Sequence, residues 1–307
     1  MADTALPMPP ADLGLEREVP LSRHTYMRIG GPAAYFGIPE DLAQFERIVT
    51  WASAHALRLH VLGGGSNVLV ADEGVRDVVV SLRRACGTTM FVNTEVTAGA
   101  AVMLPALART AAAHDLGGLE FAIGIPGSVG GALQTNAGIG DGRCIGNLVQ
   151  SVEVWRGGTR VTLNADEITF DYRHTSLRGS GDLVLGATLA LTPRPRADIE
   201  AEMRQLLETR QRTQPTAEPN AGSIFRNPLG DSAGRLIDAA GCKGLAVGHA
   251  RVSMLHANFI VHDGDGSATE IATLMAEVQQ RVFAASGVRL QPEVEWWGDA
   301  AAPETFR

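Results

Sequence analysis

Two glycine-rich loops and three polar segments hold the residue types in this 307-residue sequence that could do chemistry. Gly63, Gly64 and Gly65 run into Ser66 and Asn67. A second loop, Gly124, Ile125, Pro126, Gly127, Ser128, Val129, Gly130 and Gly131, leads to Asn136 and Gly138. Successive glycines let backbone N–H groups converge on an anion, and Ser and Asn add donors without a bulky wall, so a pyrophosphate suits such loops. No Lys-Ser or Lys-Thr pair follows either loop, and neither reads G-x-G-x-x-G opening a helix, which disfavours the ordinary nucleotide folds. Each loop taken singly reads equally well as a tight turn; two in one domain favour binding.

The polar segments are Phe170 to Ser176 around Arg173, Gly222 to Pro228 with Ser223, Arg226 and Asn227, and Pro292 to Val294 around Glu293. They offer a guanidinium, a hydroxyl and a carboxyl to one cleft. From spacing alone, a surface arginine, a turn serine and a glutamate on the wet face of an edge strand explain them better than catalysis does. Lys243 is the one lysine among 26 basic residues. A compact ammonium with rotatable donors serves differently from a planar guanidinium, which makes it a candidate anion ligand against the plainer reading of an exposed turn residue. His262 beside Asp263 and Asp265 fails the Ca²⁺-loop pattern, with Ala268 and Leu274 at positions six and twelve, so no metal is expected. Cys242 has no paired histidine and is no nucleophile.

The elements that must carry these groups follow from periodicity. Asp41 to Leu57 has helical spacing, Leu59 to Leu62 reads as a strand entering the first glycine loop, and Val75 to Leu82 and Phe91 to Thr97 read as strands. A helix is expected from Met103 to Asp115, then a hairpin of Val152 to Trp155 with Arg160 to Leu163 across Gly157 and Gly158, and a strand from Leu183 to Leu191. Thr192 to Arg196, with two prolines, reads as a linker before a polar helix from Ala197 to Arg212. Ser267 and Glu270 form a capping box for a helix ended by Gly287. Ala257 to His262 and Val288 to Trp297 read as strands on either side of it.

At roughly 150 residues per domain the length suggests two domains: a loose tail 1–19, a domain 20–195 and a smaller domain 196–307. Glycine, 35 of 307 residues, exceeds the typical share of about 7%. A net charge of −8 argues against nucleic acid, and no stretch has the roughly 20 apolar residues of a membrane span. The N-terminus lacks the parts of a secretion signal, and three cysteines without a C-x-x-C pair suit a reducing cytoplasm. No protein partner is evident.

Read in order, Thr25 to Pro32, Leu62 to Asn67, Leu119 to Gly131, Asn136 to Gly138, Tyr172 to Ser176, Gly222 to Pro228, His256 to Ile260 and Pro292 to Val294 resemble the UDP-N-acetylenolpyruvoylglucosamine reductase family from about Pro20 to Gly298. The resemblance implies an α+β chain: a vanillyl-alcohol-oxidase type FAD-binding domain of two subdomains that hold the flavin between them, then a substrate-binding domain. Arg178 to Leu183 has no insertion, as in the family's short form, which lacks a loop tyrosine. By matched position, Arg173, Ser223 and Glu293 are the implied catalytic residues. The two glycine loops with Asn136 and Gly138 are the implied noncovalent FAD site, and Arg226, Asn227 and Lys243 fall near the sugar nucleotide. Glu295 stands where the family is usually basic, which puts any cationic contact there in doubt. Leu255, Met27 and Gln291 are smaller departures.

The implied activity is NADPH-dependent reduction of UDP-N-acetylglucosamine enolpyruvate to UDP-N-acetylmuramate in peptidoglycan precursor synthesis. Hydride from flavin N5 would reach the vinyl carbon, Arg173 and a neutral Glu293 would stabilise the enolate-like charge, and Ser223 would donate the proton. Two alternatives stand beside it. One is an oxidase of the same FAD fold, against which the absence of a flavin-tethering His in Gly63 to Asn67 counts. The other is a nucleotide-sugar binding module without turnover.

Overall fold

The computed structural model describes residues 6–298 and 302–306. The chain divides into two compact units. One comprises Met1–Glu16, Phe36–Gly64 and Val78–Thr209, and the other Arg17–Tyr35, Gly65–Asp77 and Arg210–Arg307. This differs from the expected single boundary near residue 195. Three separate pieces of chain build the second unit, and the reason is packing: Met27, Ile29 and Leu69 are buried in one apolar cluster with Ile224, Phe225, Ile271, Leu274 and Val294. Local periodicity does not carry such long-range contacts.

In the first unit, helices α1 (Leu42–Ala54), α2 (Leu104–Ala113), α3 (Val129–Thr135) and most of α4 (Arg196–Thr213) accompany a five-stranded antiparallel sheet. Its strands run in the order Thr159–Asn164, Val149–Arg156, Leu183–Ala190, Glu95–Gly99, Thr89–Val92. The hairpin across Gly157 and Gly158 forms in the expected place, pairing Thr159 with Arg156 and Leu163 with Val152. The strand expected over Phe91 to Thr97 is instead two strands, because Asn93 turns the chain with φ +52° and folds Val92 back opposite Glu95; asparagine tolerates that left-handed conformation. Leu59–Val61 runs parallel to Val75–Val80, with Leu59 opposite Val78 and Val61 opposite Val80.

The stretch expected to be a linker is fastened down. Thr192–Pro193 pairs with Leu116–Gly117, and the Arg194 N–H donates to Asp115 O at 2.9 Å. Helix α4 follows directly, and its residues as far as Thr209 belong to the first unit. The expected loose tail is also structured from its sixth residue: Leu13 is buried, the Gln44 amide donates to the carbonyls of Asp12 and Leu13, and Glu16–Pro20 is a strand. Its first five residues lie outside the described residues.

In the second unit, α6 (Ala268–Ser286) packs on the strands Ala246–Val247 and Ala250–Val252, the latter paired with Ile260–His262, and α5 (Ala233–Ala239) packs on α6. Ser267 and Glu270 form the expected capping box, and Gly287 at φ +73° ends the helix. Asp72 adds to the cap by accepting from the N–H groups of Ala268 and Thr269. The long strands expected over Ala257 to His262 and Val288 to Trp297 shrink to Ile260–His262 and Glu295–Trp297, the latter parallel to Val68–Val70. Among the described residues no helix is long and apolar enough to cross a membrane.

Candidate active site

The two glycine loops meet in the first unit. A methyl group on Gly63 would lie 2.4 Å from Ser128 Oγ, and one on Gly64 would lie 3.1 Å from Gly127 Cα. Only glycine permits this approach. Ser128 caps α3 through the Gly131 N–H, while the Val129 and Gly130 N–H groups donate to Val102 O and Ala100 O at 2.9 and 2.8 Å. The second loop therefore uses much of its donor set within the protein. Among the described residues, by contrast, the N–H groups of Gly63 to Asn67 donate to no backbone carbonyl. A bare backbone edge walled by glycine suits the phosphates of a dinucleotide, so the residues present fit FAD.

Asn136, Gly138 and Arg173 form one constellation. Asn136 ends α3 in the left-handed region at φ +45°, and its buried amide works on two sides: Nδ2 donates to Asp171 O at 3.0 Å, and Oδ1 accepts from the Gly146 N–H at 3.0 Å. Expected as a cofactor ligand, the Asn136 side chain is engaged with the protein. Its tie to Asp171 holds a two-residue turn, because Asp171 pairs with His174 and leaves Tyr172 and Arg173 between them. Arg173 has φ +55°, a conformation that favours glycine or asparagine. Its Nη2 donates to Gly138 O at 2.9 Å, and its guanidinium carbon lies 5.3 Å from the centre of the Tyr172 ring.

The second unit brings Ser223 and Glu293 onto facing segments. Phe225 and Pro292 form an antiparallel bridge, the Glu293 N–H donates to Ile224 O at 2.7 Å, and the Arg226 N–H donates to Gln291 O at 2.9 Å. Asn67 secures the same segment, donating from Nδ2 to Glu293 O at 3.1 Å and accepting from the Glu295 N–H at 2.9 Å. The end of the first glycine loop thus positions the glutamate segment. Asn258, unremarked in the sequence, holds the other side of the Ser223 segment. Its buried side chain accepts from the Phe225 N–H at 3.0 Å and donates to Phe225 O at 2.7 Å, acting as a missing strand partner. The only sequence cue was its place in the His256 to Ile260 motif.

The expected substrate ligands differ in freedom. Asn227 Oδ1 accepts from the Ala233 N–H, leaving its NH₂ to donate. Lys243 Nζ is 2.7 Å from Asp238 Oδ2, so part of its charge is already matched. Arg226 Nε is buried without a hydrogen-bond acceptor, as is Nε of Arg210, a residue sequence reasoning passed over. Burial lowers the Arg210 pKa. His256, whose Nδ1 accepts from the Asn258 N–H at 3.2 Å, is held below the usual histidine range by burial and then by Lys243.

His249, Asp263 and Asp265 present ligand-type atoms within 4.8 Å of one another, but all three are exposed. His249 Nδ1 pairs with Asp263, whose hydrogen bond raises the histidine pKa. His262 is buried and hydrogen-bonded to Met27 O and the Gly264 N–H. Both histidines have structural partners.

The fold agrees with comparison to known proteins. Residues 33–163 match an FAD binding domain family, and residues 214–297 match the C-terminal domain of UDP-N-acetylenolpyruvoylglucosamine reductase. The chain is thus an α+β flavoprotein with an FAD-binding domain followed by a second domain. It is 44% identical to UDP-N-acetylenolpyruvoylglucosamine reductase 2 of Symbiobacterium thermophilum over 92% of each chain. It is 43% identical to the reductase of a Synechococcus strain over 92% of this chain and 93% of that one. The crystal structure of the reductase from Thermus caldophilus superposes with a TM-score of 0.80 at 36% identity, covering 92% of this chain and 99% of that one. The chain belongs to the UDP-N-acetylenolpyruvoylglucosamine reductase family.

Proposed function

We propose that the protein uses NADPH to reduce UDP-N-acetylglucosamine enolpyruvate to UDP-N-acetylmuramate, a step of peptidoglycan precursor synthesis in the cytoplasm. The product would supply cell-wall biogenesis and, through it, cell shape and division. FAD, when bound, would supply the redox chemistry that links NADPH to the terminal vinyl carbon of the substrate. Gly63 and Gly64, with the loop around Gly127 and Ser128, are the residues that would hold it.

Addition of hydride leaves negative charge on the carbon beside the substrate carboxylate, delocalised onto the carboxylate oxygens. Arg173 places a permanent cation against that charge, and Glu293 in its acid form donates a hydrogen bond to it. Ser223 then gives its hydroxyl proton to the carbon. Serine is a weak acid, yet the carbanion is a far stronger base than the alkoxide left behind. Arg226, Asn227 and Lys243 hold the sugar nucleotide. The buried Nε of Arg226, which has no acceptor, supports this reading, since a buried N–H donor is stabilised by a ligand oxygen.

The observation that carries the proposal is the Phe225–Pro292 bridge, which aligns the Ser223 segment with the Glu293 segment. Ser223→Ala tests it in anaerobic stopped-flow. Flavin reduction by NADPH should stay within about twofold of wild type, and flavin reoxidation by the enolpyruvyl sugar should slow by about a hundredfold or more. Near-normal reoxidation would remove Ser223 from the mechanism. Steady reoxidation by oxygen, with no response to the sugar, would favour the oxidase reading, and a protein that binds the sugar without turnover would favour the binding module.

A further inference from the structure

An ion-pair chain in the first unit ends on the hairpin whose first residue, Gly138, holds the guanidinium of Arg173. Arg173 Nη2 donates to Gly138 O at 2.9 Å, so the position of Gly138 sets the aim of Arg173. Gly138 begins a hairpin that closes on Cys144 through an isolated bridge and on Arg143 through the Ile139 N–H. The tip is Gly140, Asp141 and Gly142, with both glycines at positive φ and no side chain against which to pack. Asn147 Nδ2 donates to the Gly142 carbonyl at 3.0 Å, which ties the tip to the segment that follows it but to no other element.

Arg143 provides the link to a separate element, helix α4. Its NH1 lies 2.5 Å from Glu202 Oε1 on α4, while its NH2 and Nε bind Asp141 within the hairpin. Asp141 travels with the loop and cannot anchor it; Glu202 can. The other oxygen of Glu202 lies 2.6 Å from Arg194 NH1, which also binds the buried Glu120 at 2.9 Å. Glu120 in turn accepts from the Gly118 N–H at 2.7 Å. Arg194, and then Arg143, hold the Glu202 carboxyl below the usual carboxylate range, so both pairs persist at neutral pH.

We propose that Glu202 is a positioning residue for catalysis: through Arg143 it fixes the 138–144 hairpin, and through the Gly138 carbonyl it fixes the guanidinium of Arg173. This rests on the reading above of Arg173 as the group that stabilises charge on the substrate. A displacement of about 1 Å at such a group can slow a reaction a hundredfold.

Glu202→Gln and Arg143→Met in the FAD-loaded enzyme test the inference. Each should slow flavin reoxidation by the enolpyruvyl sugar between about tenfold and a hundredfold. Flavin reduction by NADPH should stay within about twofold of wild type, and the oxidised flavin spectrum should be unchanged. In an Arg173→Met background, Glu202→Gln should add nothing to the loss, because the group through which it acts is gone. A full further decrease in that background, an equal fall of both half-reactions, or no effect of Glu202→Gln alone would overturn the inference. If Arg173→Met itself left reoxidation at the wild-type rate, the functional reading would fail first.

Discussion

Arg173 offers a way to separate strain from catalysis. Its backbone sits at φ +55° in a two-residue turn, a conformation that costs an L-residue about 1–2 kcal/mol and glycine almost nothing. Arg173→Met and Arg173→Gly both lose the guanidinium and its bond to Gly138 O, so the difference between them isolates the backbone. Glycine recovers the strain but pays about 0.4–1 kcal/mol for its freer unfolded chain. At the midpoints of these ranges the glycine variant should therefore be more stable than the methionine variant by about 0.8 kcal/mol. At roughly 2–4 °C per kcal/mol for a chain of this size class, that is a difference of about 2–3 °C in Tm by differential scanning calorimetry. Both variants should be equally poor in reoxidising flavin with the enolpyruvyl sugar, slower than wild type by about a hundredfold to a thousandfold, as expected on removing a preorganised charge-stabilising group. A methionine variant as stable as the glycine variant would refute the strain. Reoxidation within about threefold of wild type in either would refute the role of the guanidinium.

Two other outcomes follow from the second unit. Asn258→Leu leaves the buried Phe225 N–H and carbonyl without partners, and should lower the unfolding free energy by about 2–4 kcal/mol in urea titration; a loss under about 0.5 kcal/mol would mean that the clamp is dispensable. His256, held low by burial first and Lys243 second, is neutral in the folded state across a range where the unfolded chain takes up a proton. Its contribution to stability is complete above the unfolded value near 6.5 and is lost as pH falls toward the folded value. Lys243→Met should raise the NMR titration midpoint of His256 while leaving it below 6.5, since burial remains; a midpoint that does not move would sever the two residues.

Much of the local structure was legible because its causes are local. The capping box of Ser267 and Glu270, the Gly287 stop and the hairpin across Gly157 and Gly158 each arise from a few neighbouring residues, and each formed where expected. The motif order also revealed the catalytic candidates. What stayed hidden depends on residues far apart in sequence. Asn136 and Asn67 look like ligand donors beside glycines, yet their amides tie down the segments carrying Arg173 and Glu293. Asn258 had no cue beyond a motif, and Glu202 looks like any acid on a polar helix until Arg143 is placed opposite it. The stretch from Thr192 to Arg196, expected as a free linker, is fastened down for the same reason: proline removes a backbone donor, but the flanking residues can still bind a neighbouring segment.

The parallel pairing of Val68–Val70 with Glu295–Trp297 bears on how the protein matures. Asn67 meets the glutamate segment 226 positions later, so a nascent chain leaving the ribosome exposes an apolar strand long before its partner is synthesised. Early cotranslational folding can complete the first sheet hairpins, whereas the second unit must wait for nearly all of its sequence. During that interval Val68, Leu69 and Val70 lack the strand they pair with in the folded protein, and an unpaired apolar strand edge is a template for aggregation.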